Sequence, residues 1–190
     1  MVITTPQGRA STRLQSPGVH NIRNALAATA AAAALDLPVS TIAKGLAAYT
    51  GIKGRLQRKV GMNAAHVIDD TYNANPDSVR AAIDVLAHVS GRKILVFGDM
   101  GELGADAPRL HTAIGAYAKA AGIDTLLTLG ELSEASTKAF GAGARHYSSI
   151  DALIDELRQA AAPEVTMLVK GSRFMRMERV VKALTPAAKQ

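Results

Sequence analysis

The sequence predicts an α/β protein, a doubly wound and mostly parallel sheet of the Rossmann-like kind preceded by a hairpin and two helices. Three observations carry this. From residue 56 onward, short runs of β-branched and apolar residues alternate with helical stretches of about 10–15 residues, the pattern of parallel strands joined by crossover helices. Runs such as Ile94-Leu95-Val96-Phe97 are apolar without alternation, which suits strands covered on both faces. With 190 residues, 48% of them hydrophobic, the chain is long enough to bury a core without staples.

The elements follow in order. Val2-Ile3-Thr4 and Ser11 to Leu14 read as two short strands around Thr5-Pro6-Gln7-Gly8, a turn with Pro and Gly at useful places. Ile22 to Leu35 reads as a helix, because alanine has the highest helix propensity and nothing interrupts the run before Asp36 and Pro38. Ser40 has the chemistry of an N-cap for a helix through Tyr49, with Ile42 and Leu46 on one face. Thr50 to Arg55 holds two glycines and marks a boundary, giving parts 1–54 and 55–190. Strands are then expected at 56–60, 66–70, 93–98, 125–129, 145–147 and 165–170. Helices are expected at 77–89, 107–121, 131–140, 149–161 and 174–184, the first with Val79, Ile83 and Leu86 at helical spacing.

Composition removes several function classes. There is no cysteine, so disulfides, thiolate metal sites and thiol catalysis are absent. No apolar run reaches the ~18 residues needed to cross a bilayer. The N-terminus lacks a basic segment followed by an apolar stretch. A cytoplasmic protein without membrane insertion is expected. The net charge of +6 is unevenly spread: residues 1–60 hold eight Lys/Arg and one acid, residues 61–190 fourteen Lys/Arg and fifteen acids. The basic front part suits nucleic acid or a phosphorylated small molecule. With four Tyr, three Phe and no Trp, stacking platforms for single strands are scarce, so a small polyphosphate is favoured and no nucleic-acid partner is expected.

Ligands of open parallel sheets collect beyond the carboxyl ends of the strands. Three such ends are polar here: Asp69-Asp70-Thr71-Tyr72-Asn73-Ala74-Asn75-Pro76, Gly98-Asp99-Met100-Gly101-Glu102-Leu103-Gly104, and Lys170-Gly171-Ser172-Arg173. In the first, neighbouring acids point to opposite faces, so only one can meet a given ligand. Asn73 and Asn75 are equally suited to ligand contact and to helix capping. In the second, the glycines stand as GxxGxxG, not the GxGxxG of dinucleotide loops, which counts against a nicotinamide enzyme. In the third, a lysine and a Gly-Ser opening a helix make an anion site. Upstream, Asn21 and Asn24 share a helical face suited to an adenine edge, or one of them caps; Arg55 in the glycine hinge is placed to fork onto phosphate oxygens. No P-loop, HExxH or GxSxG occurs, and the histidines lack ligand spacing, so no metal site is expected. A rival reading is a receiver-like phosphoacceptor domain, built on Asp69, Asp70, Asp99 and Lys170.

Taken together, these segments resemble the Mur ligase family. The resemblance rests on Gly18 to Ala28 with its HNxxN at His20-Asn21-Ile22-Arg23-Asn24, on Gly54-Arg55, on the IDDTYNANP of Ile68 to Pro76, on Gly98 to Gly104, on Lys170 to Arg173, and on Met177-Glu178. It extends from about residue 2 to residue 185, and YNANP, GDMxELG and KGSR point to the branch that adds D-alanyl-D-alanine. The resemblance implies an ATP-dependent, amide-forming ligase of peptidoglycan precursor synthesis. There a carboxylate of UDP-N-acetylmuramoyl-tripeptide is phosphorylated by ATP with Mg2+, and the amine of D-alanyl-D-alanine attacks the acyl phosphate. It places Asn21 and Asn24 near the adenine, Arg55 near the phosphates, and Asp69 or Asp70, with Asp70 the candidate for nucleotide contact, near the ribose or hinge. Asn73, Asn75, Lys170 and Ser172 become candidates for the incoming amine. It makes residues 1–54 the tail of a central ATP-binding domain and 55–190 a C-terminal substrate domain. P-loop and magnesium ligands then lie outside the chain, which is expected to be a monomeric fragment that holds no cofactor tightly and does not ligate alone.

Overall fold

The computed structural model describes residues 1–15 and 18–185. It divides into two compact units, Met1–Ile52 and Lys53–Gln190.

In the first unit, β1 (Val2–Thr5) and β2 (Gly8–Ser11) pair antiparallel, Thr5 opposite Gly8 and Val2 opposite Ser11. The turn is the two residues Pro6-Gln7, so the second strand begins three residues before the expected Ser11 and ends where it was expected to start. Helix α1 (Val19–Ala34) starts one turn earlier than the alanine run suggests. Helix α2 (Val39–Ala48) is entered from Pro38, not from Ser40. The fixed proline φ of −57° with ψ 137° already sets the chain for helix entry, and the Pro38 carbonyl accepts the first helical amides, from Thr41 and Ile42. Ile3 of the hairpin packs on Ile42 and Ala43, and Thr12 donates through Oγ1 to the Ala43 carbonyl at 2.9 Å.

The second unit is the doubly wound domain. Its elements are β3 (Gln57–Val60), β4 (His66–Asp70), α3 (Pro76–Ala87), β5 (Arg92–Gly98), α4 (Ala107–Ala120), β6 (Thr125–Leu129), α5 (Glu134–Phe140), β7 (Ala144–Tyr147), α6 (Ile150–Ala160), β8 (Val165–Lys170) and α7 (Glu178–Leu184). The sheet runs β3-β4-β8-β5-β6-β7; β3 is antiparallel to β4 and every other pairing is parallel. The apolar strands serve both faces, as their lack of alternation predicts. Ile94 and Val96 of β5 join Met167, Leu153 and Val180 on the side of α6 and α7. Leu95 and Phe97 join Ile83, Leu86 and Ile114 on the side of α3 and α4.

Two helices start three or four residues later than expected. The helix expected from residue 131 begins at Glu134, because the amides of Leu132 and Ser133 are taken by the Asp99 carboxylate. The helix expected from Phe174 begins at Glu178. Residues 173–175 form a 3-10 turn that ends at Arg176 in left-handed conformation, φ 51°.

The chain returns from β7 through α6 to lay β8 between β4 and β5. The register then sets Lys170 beside both Asp70 and Phe97, so three strand ends separated in sequence share one rim.

The packing of α4 on α5 sets a sharp requirement at Gly115. A Cβ there would lie 2.1 Å from the Ser136 carbonyl oxygen. Helix propensity alone favours alanine, but backbone overlap outweighs it. Gly115→Ala is expected to destabilise the fold by about 1–2 kcal/mol in urea unfolding. An unchanged or raised midpoint would contradict this close approach.

Candidate functional site

The rim is built by β4, β8 and β5 and by the segments that leave them. Lys170 ends β8 with its side chain 3% exposed. Its ammonium donates to Asp70 Oδ2 at 2.6 Å and to the Asn73 carbonyl at 2.9 Å. The second Asp70 oxygen accepts the Leu56 amide at 3.1 Å. Burial pushes the Lys170 ammonium below the ordinary lysine range; the charge and hydrogen bond of Asp70 oppose this, and the positive Arg55 nearby adds to it. Asp69 points to the opposite face, as strand alternation requires. It accepts from Thr71 Oγ1 at 2.7 Å and lies 3.4 Å from Lys59.

Ser172 is a second clasp. Its hydroxyl donates to the Ala74 carbonyl at 3.1 Å and accepts the Gly101 amide at 2.7 Å, while its own amide donates to the Asp99 carbonyl at 2.9 Å. The segments after β4, β5 and β8 are thereby tied together. Asp99 extends the tie to the segment after β6, accepting the amides of Leu132 at 3.2 Å and Ser133 at 2.7 Å. His111 of α4 accepts the Met100 amide on Nε2 at 2.9 Å, and its Nδ1 is 2.7 Å from the Ala107 carbonyl. These two bonds fix the tautomer: Nδ1 carries the proton.

Asn75 caps α3. Its side chain accepts the Ser78 amide at 2.8 Å, and Ser78 Oγ accepts the Asn75 amide at 3.0 Å, a reciprocal capping box followed by Pro76 at N1. Asn73 is exposed, and its side-chain oxygen accepts the Ala74 amide at 2.9 Å. Arg55 is exposed, with its guanidinium 4.7 Å from the centre of the Tyr72 ring. Phe174, 62% exposed, lies so close over Gly101 that a Cβ there would be 2.9 Å from the ring.

The structure therefore brings together Arg55, Asp70, Asn73, Asn75, Lys170 and Ser172 within the second unit. Asn21 and Asn24 lie on α1 of the first unit, inside its first two turns. Neither is the N-cap, which is Gly18 without a side-chain bond. The sequence reading did not find His111 or the Tyr72 platform. A lone histidine on a helix and a tyrosine in a polar loop carry no local signal of their partners. Among the described residues, no group of three or more His, Asp or Glu is placed to hold a metal ion, and no helix is long and apolar enough to cross a membrane.

The ends of β4, β5 and β8 thus meet in a clasped polar rim at one edge of a doubly wound domain. Residues 54–173 match the family described as Mur ligase, glutamate ligase domain, and the chain belongs to the Mur ligase family. It is 43% identical over 184 residues to the UDP-N-acetylmuramoyl-tripeptide--D-alanyl-D-alanine ligase of Escherichia coli K12, a match covering 96% of this chain and 40% of that one. A crystal structure of MurF from Acinetobacter baumannii superposes with TM-score 0.85 at 36% identity, over 95% of this chain and 40% of that one. MurF from Thermotoga maritima in complex with ADP superposes with TM-score 0.82 over 93% of this chain and 40% of that one; at 22% identity this likeness is one of fold. The chain thus spans about two fifths of the length of these relatives. The phosphoacceptor alternative finds no support in these likenesses, and the Asp99 carboxylate it needs is buried beneath two amides.

Removing the Ser172 hydroxyl leaves the Gly101 amide and the Ala74 carbonyl without this partner. Ser172→Ala is expected to cost about 1–3 kcal/mol of stability. Hydrogen exchange at the Gly101 amide checks the cause: unchanged protection there would show that the clasp is not what holds the rim.

Proposed function

We propose that these 190 residues are the C-terminal part of an ATP-dependent ligase that joins D-alanyl-D-alanine to UDP-N-acetylmuramoyl-tripeptide. The observation that carries the reading is the likeness to the E. coli ligase of that name, matched through both units at 43% identity. In this reading residues 1–54 close an ATP-binding domain and residues 55–190 receive the incoming amine. The first unit supports this. Its buried cluster is small, and α1 exposes Val19, Ile22 and Leu26 along one side, as expected of a helix completed by further polypeptide.

The chemistry proceeds in two balanced steps. A tripeptide carboxylate oxygen attacks the γ-phosphorus of ATP, giving an acyl phosphate and ADP. The amine of D-alanyl-D-alanine then attacks the acyl carbon, the amide bond forms, inorganic phosphate leaves and the amine loses a proton. Asn21 and Asn24 supply paired donors and acceptors for an adenine edge, and Arg55 supplies a forked cation for phosphate oxygens. Asn73 stands at the open edge of the amine-receiving rim, with Lys170, Ser172 and the Asn75 cap shaping it from beneath. The MurF of T. maritima was crystallised with ADP, in keeping with nucleotide use in this branch. Mg2+ neutralises the phosphates in such transfers, and its ligands are assigned to the part of the ligase outside these residues. The protein works in the cytoplasm, as a monomer, on soluble precursors.

Two outcomes are expected. Mixed with ATP, Mg2+, UDP-N-acetylmuramoyl-tripeptide and D-alanyl-D-alanine, the 190-residue chain releases no phosphate above background. In an intact ligase carrying these residues, Arg55→Ala lowers kcat/KM on the order of 100-fold, the loss seen when one transition-state donor is removed. Phosphate release by the chain alone would refute the division of labour; full activity of the arginine variant would refute the phosphate role.

A further inference from the structure

Arg55 is carried by an unusual piece of backbone. It stands between Gly54 at φ 75° and Leu56 at φ 47°, both left-handed. Glycine adopts that conformation freely, and a Cβ at Gly54 would in any case press to 3.0 Å from the Tyr72 amide nitrogen. Leucine does not adopt it freely. The conformation costs a side-chain-bearing residue energy and persists only where the surroundings over-determine it. Three bonds and one burial do so here. The Gly54 amide donates to Gln57 Oε1 at 3.3 Å, the Gly54 carbonyl accepts the Tyr72 amide at 2.9 Å, and the Leu56 amide donates to Asp70 Oδ1 at 3.1 Å. The Leu56 side chain is 6% exposed, within the α3 and α4 side of the core. The result is a guanidinium that lies exposed over the Tyr72 ring instead of sweeping freely through solvent.

Of these holds, the Asp70 bond reaches across the fold. The carboxylate that accepts the Leu56 amide is itself fixed by Lys170, one hundred positions away, which is buried and also bonded to the Asn73 carbonyl in the segment that carries Tyr72. One ammonium therefore bonds both the acceptor under the arginine and the segment bearing the ring against which the arginine rests. Both polar ends of the Lys170–Asp70 pair are directed into the protein, which is the arrangement of a support.

We infer that Asp70 is a positioning residue for Arg55: its side-chain oxygen, accepting the Leu56 amide, holds the strained Gly54–Leu56 turn beside the Tyr72 segment and so presents the guanidinium to a polyphosphate. The use made of Arg55 rests on the ligase reading above; its placement by Asp70 does not.

The test compares two variants of the 190-residue chain that both remove the buried charges. Asp70→Asn with Lys170→Met keeps a side-chain oxygen for the Leu56 amide; Asp70→Leu with Lys170→Met removes it. Charge-free replacement of a buried pair is tolerated far better than breaking it, so both are expected to fold. The Arg55 Nε–Hε resonance, assigned by its disappearance in Arg55→Lys, reports the ring-current contact with Tyr72. Titration with inorganic tripolyphosphate reports anion binding. In the variant that keeps the oxygen, the resonance stays near its original position and affinity stays within about twofold; in the one that loses it, the resonance moves to that of a free arginine and affinity falls about fivefold, the effect of one lost hydrogen bond. Equal resonance positions and affinities in the two variants, with only thermal stability lowered, would overturn the inference. Absence of tripolyphosphate binding by the unmodified chain would refute the phosphate role of Arg55, while the resonance comparison would still decide whether Asp70 positions it.

Discussion

Burying an ammonium against a carboxylate is an expensive way to join two strands, because desolvation of both ions offsets much of their attraction. The Lys170–Asp70 contact is therefore better understood as a fixer of geometry than as a source of stability. It forms between directly paired residues of β8 and β4, so it reads out their register. It joins positions one hundred apart in the chain, so it exists only after β8 has entered the gap between β4 and β5. What lies around it depends on that late arrival. The Ser172 clasp, the Asn73 carbonyl bond and the seat of the Arg55 turn all use residues that β8 or its neighbour brings to the rim. The topology and the site are one construction.

Much of this was legible in the residues. The change from apolar runs to helical spacing after residue 56 located the sheet and its helices, and the polar strand ends named the residues that meet. Asn75 shows where sequence reading stops: capping and ligand contact ask for the same side chain, and only the reciprocal bond with Ser78 decides its local role. The boundary errors have physical causes outside local propensity. Long-range capture of the Leu132 and Ser133 amides by Asp99 delayed one helix, and the left-handed Arg176 delayed another. His111 and Tyr72 act through partners set by tertiary packing, which periodicity does not encode.

The two units solve different problems with different materials. The first uses alanine, which packs closely but buries little, and its core is Ile3, Ile42 and Ala43 with a few partly covered neighbours. The second buries two continuous apolar layers, one on each side of the sheet. Basic residues concentrate before residue 60, while the rest of the chain is nearly balanced, with fourteen Lys/Arg and fifteen acids. A basic segment preceding an almost neutral sheet domain supplies attraction for anions without making the whole chain a nonspecific polycation.

The two lateral strands have a further consequence. β3 presents Arg58 and half-exposed Lys59, and β7 presents Arg145. Lys59 is paired with Asp69 and Arg145 with Glu156, so a second sheet docking alongside either margin would have to strip water from charged side chains. The six-stranded ladder is thereby discouraged from propagating from one molecule into the next.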